Sequence, residues 1–186
     1  MLIGAALLLC ILSVPLAGGR LSGLAELEFR RAWLAVGALV VQVLIISILP
    51  GGARGLDEEV HVASYVLLGA FLVVNRHIPG LLVVAIGGAL NFAAILANRG
   101  VMPADPDAIA AAGIPQNATE FANSAPAAGA PLGFLGDVFH TPGWLPIHNV
   151  FSVGDLVIVI GAFLLLHSAG GTPLGRLTRR LRPVEA

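Results

Sequence analysis

The stretch Pro79-Gly80-Leu81-Leu82-Val83-Val84-Ala85-Ile86-Gly87-Gly88-Ala89-Leu90-Asn91-Phe92-Ala93-Ala94-Ile95-Leu96-Ala97 contains a single polar side chain, Asn91. A helix needs about 20 apolar residues to cross a hydrocarbon core of ~30 Å, and this run approaches that length. Four other stretches read the same way: Leu2 to Ala17, Trp33 to Leu49, Val60 to Val74 and Val150 to His167. Between the first two, at about 20–31, Leu21, Leu24 and Leu27 alternate with Glu26, Glu28, Arg30 and Arg31, the pattern of an amphipathic helix lying on an interface. The reading is an all-α integral membrane protein: about five transmembrane helices, an interfacial helix and one long extracytoplasmic loop at about 99–149. All of it belongs to a single domain.

Composition points the same way. Of 186 residues 57% are hydrophobic and 11% charged, which leaves little polar surface to cover a water-exposed domain. The net charge of -1 gives no basic face for nucleic acid. The lone cysteine, Cys10, excludes an internal disulfide and a multi-cysteine metal cluster, and reads as a buried thiol. The first apolar run has no basic residues before it, so it reads as a retained helix rather than a signal peptide.

All ten basic residues are arginines. On the five-span reading Arg20, Arg30, Arg31, Arg76, Arg176, Arg179, Arg180 and Arg182 fall on one side and Arg54 and Arg99 on the other. Basic residues mark cytoplasmic loops, which predicts an inner-membrane protein with its N-terminus outside and its basic tail, 171–186, inside against anionic lipid. Asp57, Glu58, Glu59, Asp105, Asp107, Glu120 and Asp137 would lie outside.

The loop is rich in Pro, Ala, Gly and Asn, with a short helical segment expected at Asp107 to Ala112. Phe134, Phe139 and Trp144 suit docking at an interface. Asp155 sits six residues into the last apolar stretch, where it either serves a function or caps the helix with help from Ser152. Asn91 and Asn98, seven residues apart, share one helical face, and Asn91 and Gln42 suit hydrogen bonding between helices. Arg99 either pairs with a loop acid or reaches phosphate. Asp137-x-x-His140, with His148, would chelate a metal only if helical, and no further ligand spacing accompanies it. No metal or other cofactor is expected. Asn117-Ala118-Thr119 matches a glycosylation acceptor, a pattern common by chance.

Two resemblances follow from these residues. Asn98-Arg99-Gly100-Val101-Met102-Pro103-Ala104, Phe151-Ser152-Val153-Gly154-Asp155 and the order of spans resemble a bacterial membrane-protein family known only as a domain of unknown function. Phe151-Ser152-Val153-Gly154-Asp155-Leu156-Val157-Ile158-Val159-Ile160-Gly161 is similar to the last helix of lipoprotein signal peptidases, with their Phe-Asn-x-Ala-Asp-x-x-Ile-x-x-Gly pattern. Asp137-Val138-Phe139, Trp144-x-Pro146 and Ile86-Gly87-Gly88-Ala89-Leu90-Asn91 resemble other blocks of that family. This second resemblance implies Asp137 and Asp155 as a catalytic dyad, supported by Ser152, Asn91, Asn98 and Arg99. Ser152 and Gly154 stand where that pattern has Asn and Ala, and its Asn-x-Gly-Ala-Ala-Phe block is missing.

Three functions are therefore expected, in this order: a non-catalytic membrane subunit or scaffold that engages a protein partner or membrane lipid through its loop, an aspartyl membrane peptidase acting on a membrane-anchored substrate, and a small transporter.

Overall fold

The computed structural model describes residues 2–48, 56–114 and 124–180. Arg54, the Asn117-Ala118-Thr119 pattern, Glu120 and Arg182 lie outside the described residues, as do the side chains of Gln42, Asp57, Glu58, Glu59, Arg179 and Arg180. Each apolar stretch forms a helix: α1 (Leu2–Leu16), α2 (Trp33–Ile48), α3 (Leu56–Val74), α4 (Leu81–Ala97) and, after the short α5 (Pro106–Ala111), α6 (Val153–Ala169). A further helix, α7 (Pro173–Arg180), turns back from the end of α6.

Among the described residues no helix is long and apolar enough to cross a membrane, which overturns the five-span expectation. The reason lies in helix length. At 1.5 Å per residue the 17 residues of α4 or of α6 reach only about 25 Å. The 19 residues of α3 are enough in number, but the helix opens on Leu56-Asp57-Glu58-Glu59. Without a crossing helix among the described residues, the assignment of arginines to an inside and acids to an outside has no basis. The predicted inner-membrane location and the orientation of the two termini fall with it.

The expected amphipathic helix at 20–31 is also absent; one 3-10 turn, Leu21–Leu24, takes its place. Gly23 explains the difference, because this segment runs against the end of α6 and a Cβ there would collide with the Ala169 carbonyl. Asn75, fully buried at the end of α3, then holds the chain at Arg30. It accepts from the Arg30 N–H at 2.7 Å and donates to the Arg30 carbonyl at 2.9 Å.

The long loop has structure of its own. Asp105 caps α5 by accepting from the Asp107 N–H at 2.8 Å, with Pro106 in the first turn. β1 (Met102–Ala104) pairs in parallel with β2 (Ser124–Pro126), and β3 (Phe139–His140) pairs antiparallel with β4 (Val150–Phe151). These short strands and α5 form a cap with its own core of Ala104, Ala108, Ile109, Ala112, Ile114 and Val150. Met102 packs with Ala94 and Ile95 of α4, which fixes the cap where α4 ends and α6 begins.

Candidate functional site

The site begins with glycines. α4 and α6 run side by side, with Gly87 against Gly154 and Gly80 against Gly161. A Cβ on Gly87 would sit 2.6 Å from the Gly154 carbonyl, and one on Gly161 2.6 Å from the Val84 nitrogen, both closer than any real Cβ approaches. The absence of side chains at both seven-residue pairs lets the two backbones meet.

One turn beyond Gly87, Asn91 therefore reaches the start of α6. Its amide donates to Asp155 Oδ1 at 2.8 Å, and its Oδ1 accepts the Ser152 hydroxyl at 2.8 Å. Ser152 and Asp155 close a capping box, each side chain accepting from the other's backbone N–H at 3.0 Å. Asp155 thus accepts at both oxygens from fixed N–H groups, the arrangement that holds a carboxylate in place.

Asp137 comes from the cap. Its N–H donates to the Pro103 carbonyl at 2.9 Å, and its own carbonyl accepts from the Asp105 N–H at 3.1 Å. A Cβ on the preceding Gly136 would strike that Pro103 carbonyl, so the close approach depends on glycine. The Asp137 side chain is 8% exposed, and its Oδ2 accepts the Ser124 hydroxyl at 2.7 Å. Burial pushes its carboxyl up from 3.8 to about 6; the Ser124 hydroxyl opposes the rise and the Asp155 charge adds to it. Burial, and then the same Asp155 charge, push up the Tyr65 phenol of α3. Tyr65 stacks obliquely on Phe92 of α4, ring centres 5.5 Å apart. Asp137, Asp155 and Tyr65 share one electrostatic neighbourhood at the junction of cap and helices.

The structure brings Asp155, Ser152 and Asn91 into one network and sets Asp137 within range of its charge. Asn98 and Arg99 are engaged elsewhere or exposed. Asn98 donates to the Ala94 and Pro131 carbonyls, at 2.8 and 2.7 Å, and so ties the loop to α4. Arg99 is exposed, with a left-handed backbone at φ 53 to 55° shared with Arg31.

The helical spacing needed for Asp137-x-x-His140 to chelate is not formed, because His140 lies on strand β3 with its Nδ1 3.1 Å from the Thr141 carbonyl. His148 Nδ1 lies 2.6 Å from the Ala112 carbonyl. Among the described residues no three His, Cys, Asp or Glu side chains gather as a metal site would require. Ser124 and Tyr65 escaped the sequence reading, since neither stands at a recognisable spacing from an aspartate. The same holds for His167 of α6, buried against α1 with Ser13 Oγ at 2.9 Å from Nε2 and Thr172 Oγ1 at 3.1 Å from Nδ1.

No curated protein and no solved structure matches the chain, so its likeness to lipoprotein signal peptidases rests on the short motifs alone. A family model does match, over residues 26–167, and the chain belongs to that family, the family of unknown function DUF5317.

Proposed function

We propose that the chain is an aspartate-dependent hydrolase in which Asp137 and Asp155 act as an acid–base pair on an uncharged carbonyl compound. The observation that carries this reading is the Asp137 carboxyl, buried and raised to about 6, within electrostatic range of Asp155, whose carboxyl is held by Asn91 and Ser152. Two acids in unlike surroundings divide the work of acid and base. Asp155 takes a proton from a water whose oxygen attacks the carbonyl carbon, while protonated Asp137 gives its proton to the carbonyl oxygen. In the second half Asp155 returns a proton to the leaving nitrogen or oxygen, the bond to carbon breaks, and Asp137 recovers a proton from the collapsing diol.

The test is release of nitroaniline from an uncharged acyl nitroanilide. Asp137→Asn and Asp155→Asn, each checked for retained helicity, should lower the rate by about 100-fold or more. The wild-type rate should fall as pH rises through about 6, because the acid must carry its proton. Wild-type turnover in both variants, or none in the wild type, would end the proposal.

A second reading is a non-catalytic scaffold. It is favoured by Phe134, Phe139 and Trp144, which the cap leaves 69%, 40% and 81% exposed. Aromatic side chains of this kind anchor protein interfaces. Here Phe134→Ala with Trp144→Ala should abolish capture of a protein partner that the two aspartate variants still bind.

A further inference from the structure

A cavity of about 380 Å³ lies between α3, α4 and α6. Leu68, Leu72 and Ile158 line its apolar walls, and Tyr65 and Phe92 contribute their paired rings. Its volume falls at the small end of ligand pockets, which run from about 300 to 1,000 Å³. One lining residue ties it to the site: Asn91 borders the cavity and donates to Asp155. The lining is largely apolar, and at Asn91 it comes one hydrogen bond away from the Asp155 carboxyl.

That charge decides which head group fits. An anion brought to this end would face Asp155 and, nearby, Asp137, whereas an amide N–H is a donor for the carboxylate oxygens. We propose that the cavity holds the aliphatic chain of an uncharged medium-chain acyl amide, with the amide group against Asn91 and Asp155. Its role as substrate rests on the hydrolase reading; its binding does not. On hydrolysis the C–N bond is replaced by C–O, and the product acid, once ionised, is repelled by the group that helped form it.

Two glycines in the cavity wall give a clean test. Gly88 and Gly69 both line the cavity, and a Cβ at either would meet nothing within 4 Å, so larger side chains can be introduced there from an unobstructed Cβ. Calorimetric titration with octanamide should show binding, and octanoate at neutral pH or above should bind roughly tenfold more weakly or worse. Gly88→Leu and Gly69→Val, with unfolding temperatures no lower than wild type, should each weaken octanamide binding by roughly tenfold or more.

Equal binding by the filled variants would place the ligand elsewhere on the apolar surface and overturn the proposal. So would equal affinity for octanoate, or no binding of octanamide. Octanamide that binds in the cavity but is hydrolysed no faster than in water would leave the site standing and remove only the hydrolase reading. Hydrolysis unaffected by Gly88→Leu would do the reverse.

Discussion

At the residue scale the two aspartates differ in what holds them. Asp155 is anchored by three hydrogen bonds shared with Ser152 and Asn91, so it has a structural task whatever its chemistry. Asp137 has its backbone clamped to the cap and its carboxyl buried against Ser124. Its native pKa, about 6, lies above its ordinary 3.8, so between those values the folded chain retains a proton that the unfolded chain has released. Stability then falls as pH rises through this window, by about 1.4 kcal/mol per pKa unit and roughly 3 kcal/mol in all. Asp137→Asn keeps an acceptor for Ser124 and cannot ionise. Urea denaturation from about pH 3 to about pH 7, which spans this window, should show the variant gaining on wild type by that amount, and parallel curves for the two proteins would disprove the burial argument.

At the element scale the decisive contact is between α4 and α6. Gly154 stands where the signal-peptidase pattern has Ala, and the reason is visible: a Cβ there would overlap the Asn91 amide. Gly154→Ala should cost about 1 to 3 kcal/mol and separate Asn91 from Asp155. The control lies on the facing helix α4, one residue beyond Gly87. Gly88→Ala meets nothing and gains helix propensity, so it should be neutral or stabilising by up to about 1 kcal/mol. Equal unfolding midpoints for the two variants would contradict the glycine contact. Sequence alone could not say which of Gly87, Gly88 and Ala89 touches a backbone, because that depends on the rotation of α4 against α6.

At the scale of the whole molecule, apolar surface exceeds what the helices cover in one another. Leu9, Leu12 and Leu16 of α1 and Trp33, Val36, Leu39, Val40 and Val43 of α2 are all at least half exposed. Apolar area left in water costs about 25 cal/mol per Å², and surfaces of this kind associate. Sedimentation velocity in detergent-free buffer should show concentration-dependent self-association that a mild nonionic detergent disperses. A single monomeric species across concentrations would show that the exposed side chains are too scattered to act together.

Sequence by itself determined where the five apolar helices lie, since runs such as 81–97 and 153–169 hold too many apolar residues for any exposed coil, and it offered Ser152 with Asp155 as a cap of the last of them, but it gave neither the turn at 21–24 nor α7. It also placed the short helix of the cap within a residue of its observed span. Apolar content did not decide whether those helices are long enough to cross a bilayer, because length is set by where capping and turn residues stop each helix. Nor did it pair Asn91 with Asp155, or Ser124 with Asp137, across 64 and 13 residues of chain. Those pairings arise only when glycine contacts bring α4 to α6 and the cap folds over their meeting point, since a hydrogen bond between distant residues exists only once packing has fixed both partners.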